Sequence, residues 1–125
     1  MNVENFDKVV ENRLKDIKRI LGSKGKEYSS DTDRLYNFKR AAKMNNTTPE
    51  KALWGMATKH LVSVVDIIHD IDDGKAVSID MIEEKIGDMI NYLILLEALL
   101  KEDMFDNDTG YTDGGLVYDS RYSKN

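Results

Sequence analysis

The stretch TPEKALWGMATKHLVSVVDIIHDIDDGKAVSIDMIEEKIGDMINYLILLEALLKE, residues 48 to 102, decides the fold. Thr48 offers a hydroxyl to the free amides of a helix start, and Pro49 takes the first helical position, where its missing N–H leaves no bond unmade. The spacing beyond them predicts a helix to Asp73, closed by Gly74, with Leu53, Met56, Ala57, Leu61, Val64 and Ile68 on its buried face. A further helix is predicted from a cap at Ser78 or Asp80 to about Glu102, with Glu83 placed to complete a capping box on Asp80. Met89, Ile90, Leu93, Ile94, Leu95, Leu96, Leu99 and Leu100 make it apolar almost all round, and such a helix is expected to be buried.

Toward the N-terminus, Val3, Phe6, Val10, Leu14, Ile17 and Leu21 recur at three- and four-residue steps, which predicts an amphipathic helix over residues 2 to 21 stopped by Gly22. SKGKEYSSDTD, residues 23 to 33, is polar and reads as a loop. A short helix from Asp33 to Lys43 would then bury Leu35, Phe38, Ala41 and Ala42. The expectation is an all-α four-helix bundle over residues 1 to 102, with residues 103 to 125 as an irregular C-terminal tail. Because the last helix carries more apolar surface than three short neighbours can cover, a homodimer is expected.

Composition narrows the chemistry. A chain of 125 residues with 41% hydrophobic content is one domain able to bury its own core. It contains no cysteine, which excludes disulfides, thiol nucleophiles and cysteine-based metal sites. MNVENFDKVVENRL mixes charged and apolar residues from its first turn, unlike a secretory signal, and no apolar stretch is long and clean enough to span a bilayer, so a cytoplasmic protein is expected. A net charge of −5 argues against a broad, non-specific nucleic-acid surface and leaves small ligands open.

Two polar stripes run along the two long helices: Lys59, Ser63, Asp66 and Asp70 on one, and Asp80, Glu84, Asp88 and Asn91 on the other. Asp88 and Asn91 fall within apolar surroundings, where a carboxylate or amide must be paired, hydrogen-bonded or metal-bound. One reading has Asp66, Glu84 and Asp88 hold a magnesium ion that grips a di- or triphosphate, since hard oxygen ligands suit that cation. The other has Asp88 pair with Lys59 while Asn91 caps a backbone group. A second constellation, Lys24, Lys26, Tyr28, Arg34, Asn37, Phe38 and Lys39, could stack a base on Tyr28 or Phe38 and meet phosphate through Arg34 or Lys39. Against it, Phe38 fits a core position and lysines are commonly solvated. His60 falls on the apolar side and reads as a hydrogen-bonded core histidine.

DRLYNFKRAA, PEKALWGMATKHLVSVVD and EKIGDMINYLILLEALL together resemble the phage-associated nucleotide-modification-associated domain family, over about residues 10 to 101. More distantly, GDMINYLILL is similar to the last motif helix of the MazG-like and dimeric dUTPase-like all-α nucleotide pyrophosphatases. Those enzymes are dimers or tetramers that use magnesium held by two motif helices to hydrolyse nucleoside triphosphates. The resemblance implies that Asp88 stands at the aspartate of their E-x-x-D motif, followed by Tyr92. Lys85 stands where their glutamate would be, with Glu84 the nearest carboxylate, and their E-x-x-E pair is represented at most by Ser63 and Asp66. What it implies for function is nucleotide binding, with Asp66, Glu84 and Asp88 as metal ligands and catalytic groups and Lys59 with Arg34 or Lys39 on phosphate. Two further readings stand beside it: a protein that sequesters a nucleotide without turnover, and a structural or partner-binding bundle.

Overall fold

A computed structural model of the chain describes residues 1–23, 33–106 and 110–111. Four α-helices follow in order: α1 Val3–Ile17, α2 Tyr36–Met44, α3 Pro49–Asp72 and α4 Ile79–Lys101. A π-helical turn, Lys18–Ser23, continues α1. After α4 come a single 3-10 turn, Glu102–Met104, and a two-residue antiparallel pair, β1 Phe105–Asp106 with β2 Gly110–Tyr111. Part of the expected irregular tail is thus regular, and residues 112–125 lie outside the described residues, as do Lys24, Lys26 and Tyr28. No helix among the described residues is long and apolar enough to cross a membrane.

The helix starts are chemical. Asn2 accepts from the Asn5 amide at 2.8 Å, Thr48 from Lys51 at 3.3 Å and Ser78 from Met81 at 3.1 Å. Ser78 rather than Asp80 therefore caps α4, and the expected box with Glu83 does not form, because the third residue after the cap is Met81, which has no acceptor to return. Helix α2 starts later than expected: Asp33 accepts from the Leu35 amide at 2.9 Å, a turn that holds the chain out of the helix until Tyr36. Gly74, at φ +79°, turns the chain between α3 and α4.

Helix α4 packs mainly against α3, and α2 packs against α3 as well. Leu35, Phe38, Leu53, Ala57, Leu95 and Leu99 form the core, with Leu21, Met56, Tyr92 and Leu96 against it. Two burial expectations fail. Leu61 and Ile68 of α3 are 40% and 60% exposed, and Leu93, Ile94 and Leu100 of α4 are also open to solvent. The buried stripe of α4 is only Gly87, Asn91, Leu95 and Leu99. The reason is α1: it touches α4 lightly and contains no buried residue, so among the described residues one side of the bundle has no covering layer.

Lys39 locks the loop before α2 to the end of α4, binding Asp33 at 2.7 Å and also Glu102. Burial works to raise the Asp33 carboxyl, but the Lys39 ammonium and the Leu35 amide outweigh it and leave it below its ordinary value. Burial works to lower Lys39, and its two carboxylates outweigh that and raise it. The lowered Asp33 value means a contribution to stability present above the unfolded carboxyl value of about 3.9 and lost as pH falls through the folded one. The raised Lys39 value means a contribution fully present below about 10.4 and lost as pH rises through the folded one. Lys39→Met is expected to lower stability by about 0.5–1 kcal/mol at neutral pH, as these groups are partly exposed. Urea midpoints should show that gap closing once the carboxylates are protonated; an undiminished gap in strong acid would contradict the assignment.

Candidate functional site

The middle of α4 gathers the polar groups. His60 of α3 faces Asp88 of α4, with Nδ1 3.3 Å from Oδ2. Tyr92 follows Asp88 by one turn on the same face and stacks on the His60 ring, centroids 4.7 Å apart at 29°. Behind it Phe38 meets Tyr92 edge-on at 6.3 Å. Asp88 is thus paired across the bundle by His60 and not by Lys59, which is exposed one residue away. Asn91, also one turn beyond Asp88, is 4% exposed, and its Oδ1 has no hydrogen-bond partner among the described residues.

Arg13 reaches this region from α1. Its Nη2 donates to the Glu83 carbonyl at 3.0 Å, and the guanidinium lies over Gly87, where a Cβ would meet Nη1 at 2.5 Å. A glycine inside a helix costs about 0.5–1 kcal/mol relative to alanine, and here its bare Cα is what admits the arginine.

Two clefts flank the site. One, of about 450 Å³, is bordered by Ser63, Asp66 and Asp70 of α3 with Ser78, Met81 and Lys85. The other, of about 230 Å³, lies between Arg13, Asp16 and Arg19 of the first helical segment and Glu83, Glu84 and Asp88 of α4. Asp66 opens on the first and Glu84 and Asp88 on the second, so the expected magnesium trio is divided. Among the described residues no three Asp, Glu or His side chains converge as a metal site. Glu84 is largely exposed, 3.7 Å from the Lys85 ammonium, and Asp88 is occupied by His60. This donor set does not fit one divalent cation: Asp66 opens on a different cleft, and the Lys85 ammonium lies beside Glu84.

The second expected constellation is structural where it is described. Phe38 is 1% exposed and lies in the core, which removes it as a platform for a base. Arg34 donates to the Leu21 carbonyl, closing the loop before α2, and Lys39 is held by Asp33 and Glu102, so neither is free for phosphate. Asn37 is exposed on α2, and Ser63 donates to the Lys59 carbonyl of its own helix at 3.1 Å. Tyr28 lies outside the described residues. Arg13 and Gly87 take places that sequence reasoning had not assigned, and His60, expected as a core histidine, is half-buried and pairs with Asp88. The available signal was Gly87 itself, since a mid-helix glycine calls for a close approach.

Comparison of the chain with protein families, with curated proteins and with solved structures finds no match, so the family resemblance rests on its quoted motifs alone.

Proposed function

We propose that the chain is a nucleotide-binding protein of the all-α nucleotide pyrophosphatase type, which holds a (deoxy)nucleotide at the middle of α4 and sequesters it. The observation that carries this is the Asn91 Oδ1, buried without a donor one turn from the His60–Asp88 pair. An orphaned amide oxygen costs about 1–3 kcal/mol, and native structures retain few of them. A donor brought by a ligand, such as a base amino group or a sugar hydroxyl, removes that cost. Arg13 and Arg19 in one cleft and Lys85 in the other are the cations beside the site, but carboxylates outnumber them in both clefts, so the reading rests on the Asn91 oxygen and not on phosphate charge. Binding is favoured over metal-assisted turnover by the division of Asp66, Glu84 and Asp88 between two clefts, since phosphoanhydride cleavage needs concentrated charge neutralisation and a positioned water. A homodimer belongs to the same reading.

The test is a thermal-shift and product assay with canonical and modified deoxynucleoside triphosphates, each with and without magnesium. At a hundredfold excess over its dissociation constant the right nucleotide adds about 2.7 kcal/mol of stability, a rise of several degrees. That rise is expected without magnesium and without pyrophosphate release. Magnesium-dependent release of pyrophosphate would establish turnover instead, and a panel with no shift at all would remove the nucleotide reading.

A further inference from the structure

We propose that the groove between α1 and the first half of α4 is a docking site for a basic amphipathic helix of another protein. This goes beyond the reading above and depends on neither its nucleotide part nor its homodimer part. The groove has a volume of about 730 Å³ and is walled chiefly by Val9, Val10 and Leu14 of α1 and by Ile79, Ile82 and Ile86 of α4. Val3 and Phe6, 77% and 58% exposed, continue the α1 side. Helix α1 has fifteen residues and none of them is buried; an isolated helix of that length is marginal in water, so an occupant that covers this stripe also stabilises α1.

Length selects the shape of the occupant. From Ile79 to Ile90 the α4 wall runs about 16 Å, three turns of helix, and its isoleucines at 79, 82, 86 and 90 repeat at the one-turn spacing of the anchors by which a helix lies in an apolar groove. Charge selects its chemistry. Residues 1–14 and 79–90, the two segments that make the groove, carry seven Asp or Glu against three Lys or Arg, a surplus of four negative charges out of the chain's net −5. Arg13 and Glu83 border both the groove and the adjoining cleft, where Asp16, Asp80, Glu84 and Asp88 stand. The Glu84 side chain is 62% exposed, within reach of a cation carried on the flank of a seated helix. Lysines or arginines beside the partner's apolar face therefore meet complementary charge along the groove. A second copy of this chain would bring like charge against like, and an anionic membrane surface would be repelled in the same way.

Fluorescence anisotropy of the full chain with a labelled peptide of about fourteen residues, leucine on one helical face and lysine on the other, tests this. The wild type is expected to bind it with a dissociation constant on the order of 10 µM in about 0.05 M salt, about tenfold more weakly in about 0.5 M salt, and not to bind the counterpart in which glutamate replaces lysine. Val10→Glu/Ile82→Glu, with its helical circular dichroism kept, should weaken binding about tenfold or more, whereas Val62→Glu, on an exposed position of α3 outside the groove, should leave it unchanged. Should the double variant lose helicity, Asp80→Asn/Glu83→Gln/Glu84→Gln is the second probe; all three positions are exposed, and neutralising them should weaken binding about tenfold at low salt and little at high salt. Equal binding of the two peptides would overturn the proposal, as would folded variants that take the lysine peptide as tightly as the wild type. Self-association, or adsorption to phosphatidylcholine vesicles, that the groove substitutions abolish would overturn it as well, by giving the groove a different occupant.

Discussion

Phe38→Ala is expected to lower the free energy of unfolding by about 3–5 kcal/mol, the largest single loss any side chain of α2 can cause. Its ring is fully enclosed, edge-on to Tyr92 and packed with Leu35, Leu53, Ala57, Leu95 and Leu99. Truncation removes both the transfer energy of the ring and the contacts of the atoms left around the void. Since a domain of this kind has only about 5–15 kcal/mol to lose, a urea transition should move to much lower denaturant. The variant also separates two roles for the residue. A platform for a nucleotide base would lose binding on truncation with little change in stability, whereas a core residue loses stability first. A loss under about 1 kcal/mol would contradict the burial on which the packing of α2 over α3 depends.

Asn91→Leu should act in the opposite direction. The two side chains share the same branched heavy-atom skeleton, leucine being the bulkier by its methyl hydrogens, and leucine has no oxygen to strand among Gly87, Leu95 and Leu99 on the buried stripe of α4. Removing an unsatisfied buried acceptor is expected to stabilise the chain by about 1–2 kcal/mol, read as a rise of several degrees in Tm. The same substitution should abolish the stabilisation by nucleotide. Stability exchanged for binding is the mark of a group kept for a ligand. If Asn91→Leu destabilised the protein while nucleotide still bound, the amide would be structural and the site would have to be sought elsewhere.

How much of this was legible in the sequence differs by level. The helices were readable because Thr48, Gly74 and Ser78 bound α3 and α4 and because Phe38 and Ala42, Leu53 and Ala57, and Leu95 and Leu99 are each spaced by one helical turn. The exposure of Leu93, Ile94 and Leu100 was not, because periodicity records that a face is apolar and says nothing about which chain covers it. The candidate site was legible by helix and not by partner. Lys59 and His60 are adjacent in sequence but point about 100° apart around α3, and the rotation of α3 against α4, set by packing, selects His60 for Asp88. Lys39 illustrates the same limit: its second carboxylate, Glu102, comes from the turn just beyond α4, 63 residues along the chain.

The π-helical turn at Lys18–Ser23 has a consequence for the protein's tolerance of insertions and deletions. Read as one unbroken α-helix, Val3, Phe6, Val10, Leu14, Ile17 and Leu21 would form a single stripe; the wider turn shifts the phase, so Leu21 packs on the chain's own core while Val3 through Leu14 face away from it. One residue of helix is worth roughly 100° of rotation. Loss of a single codon within 18–23 would therefore swing the whole upstream stripe relative to Leu21 with every amino acid on it unchanged. A lineage in which this segment varied by one residue would present a different face of α1 to the world, a larger change than most point substitutions along that face could make.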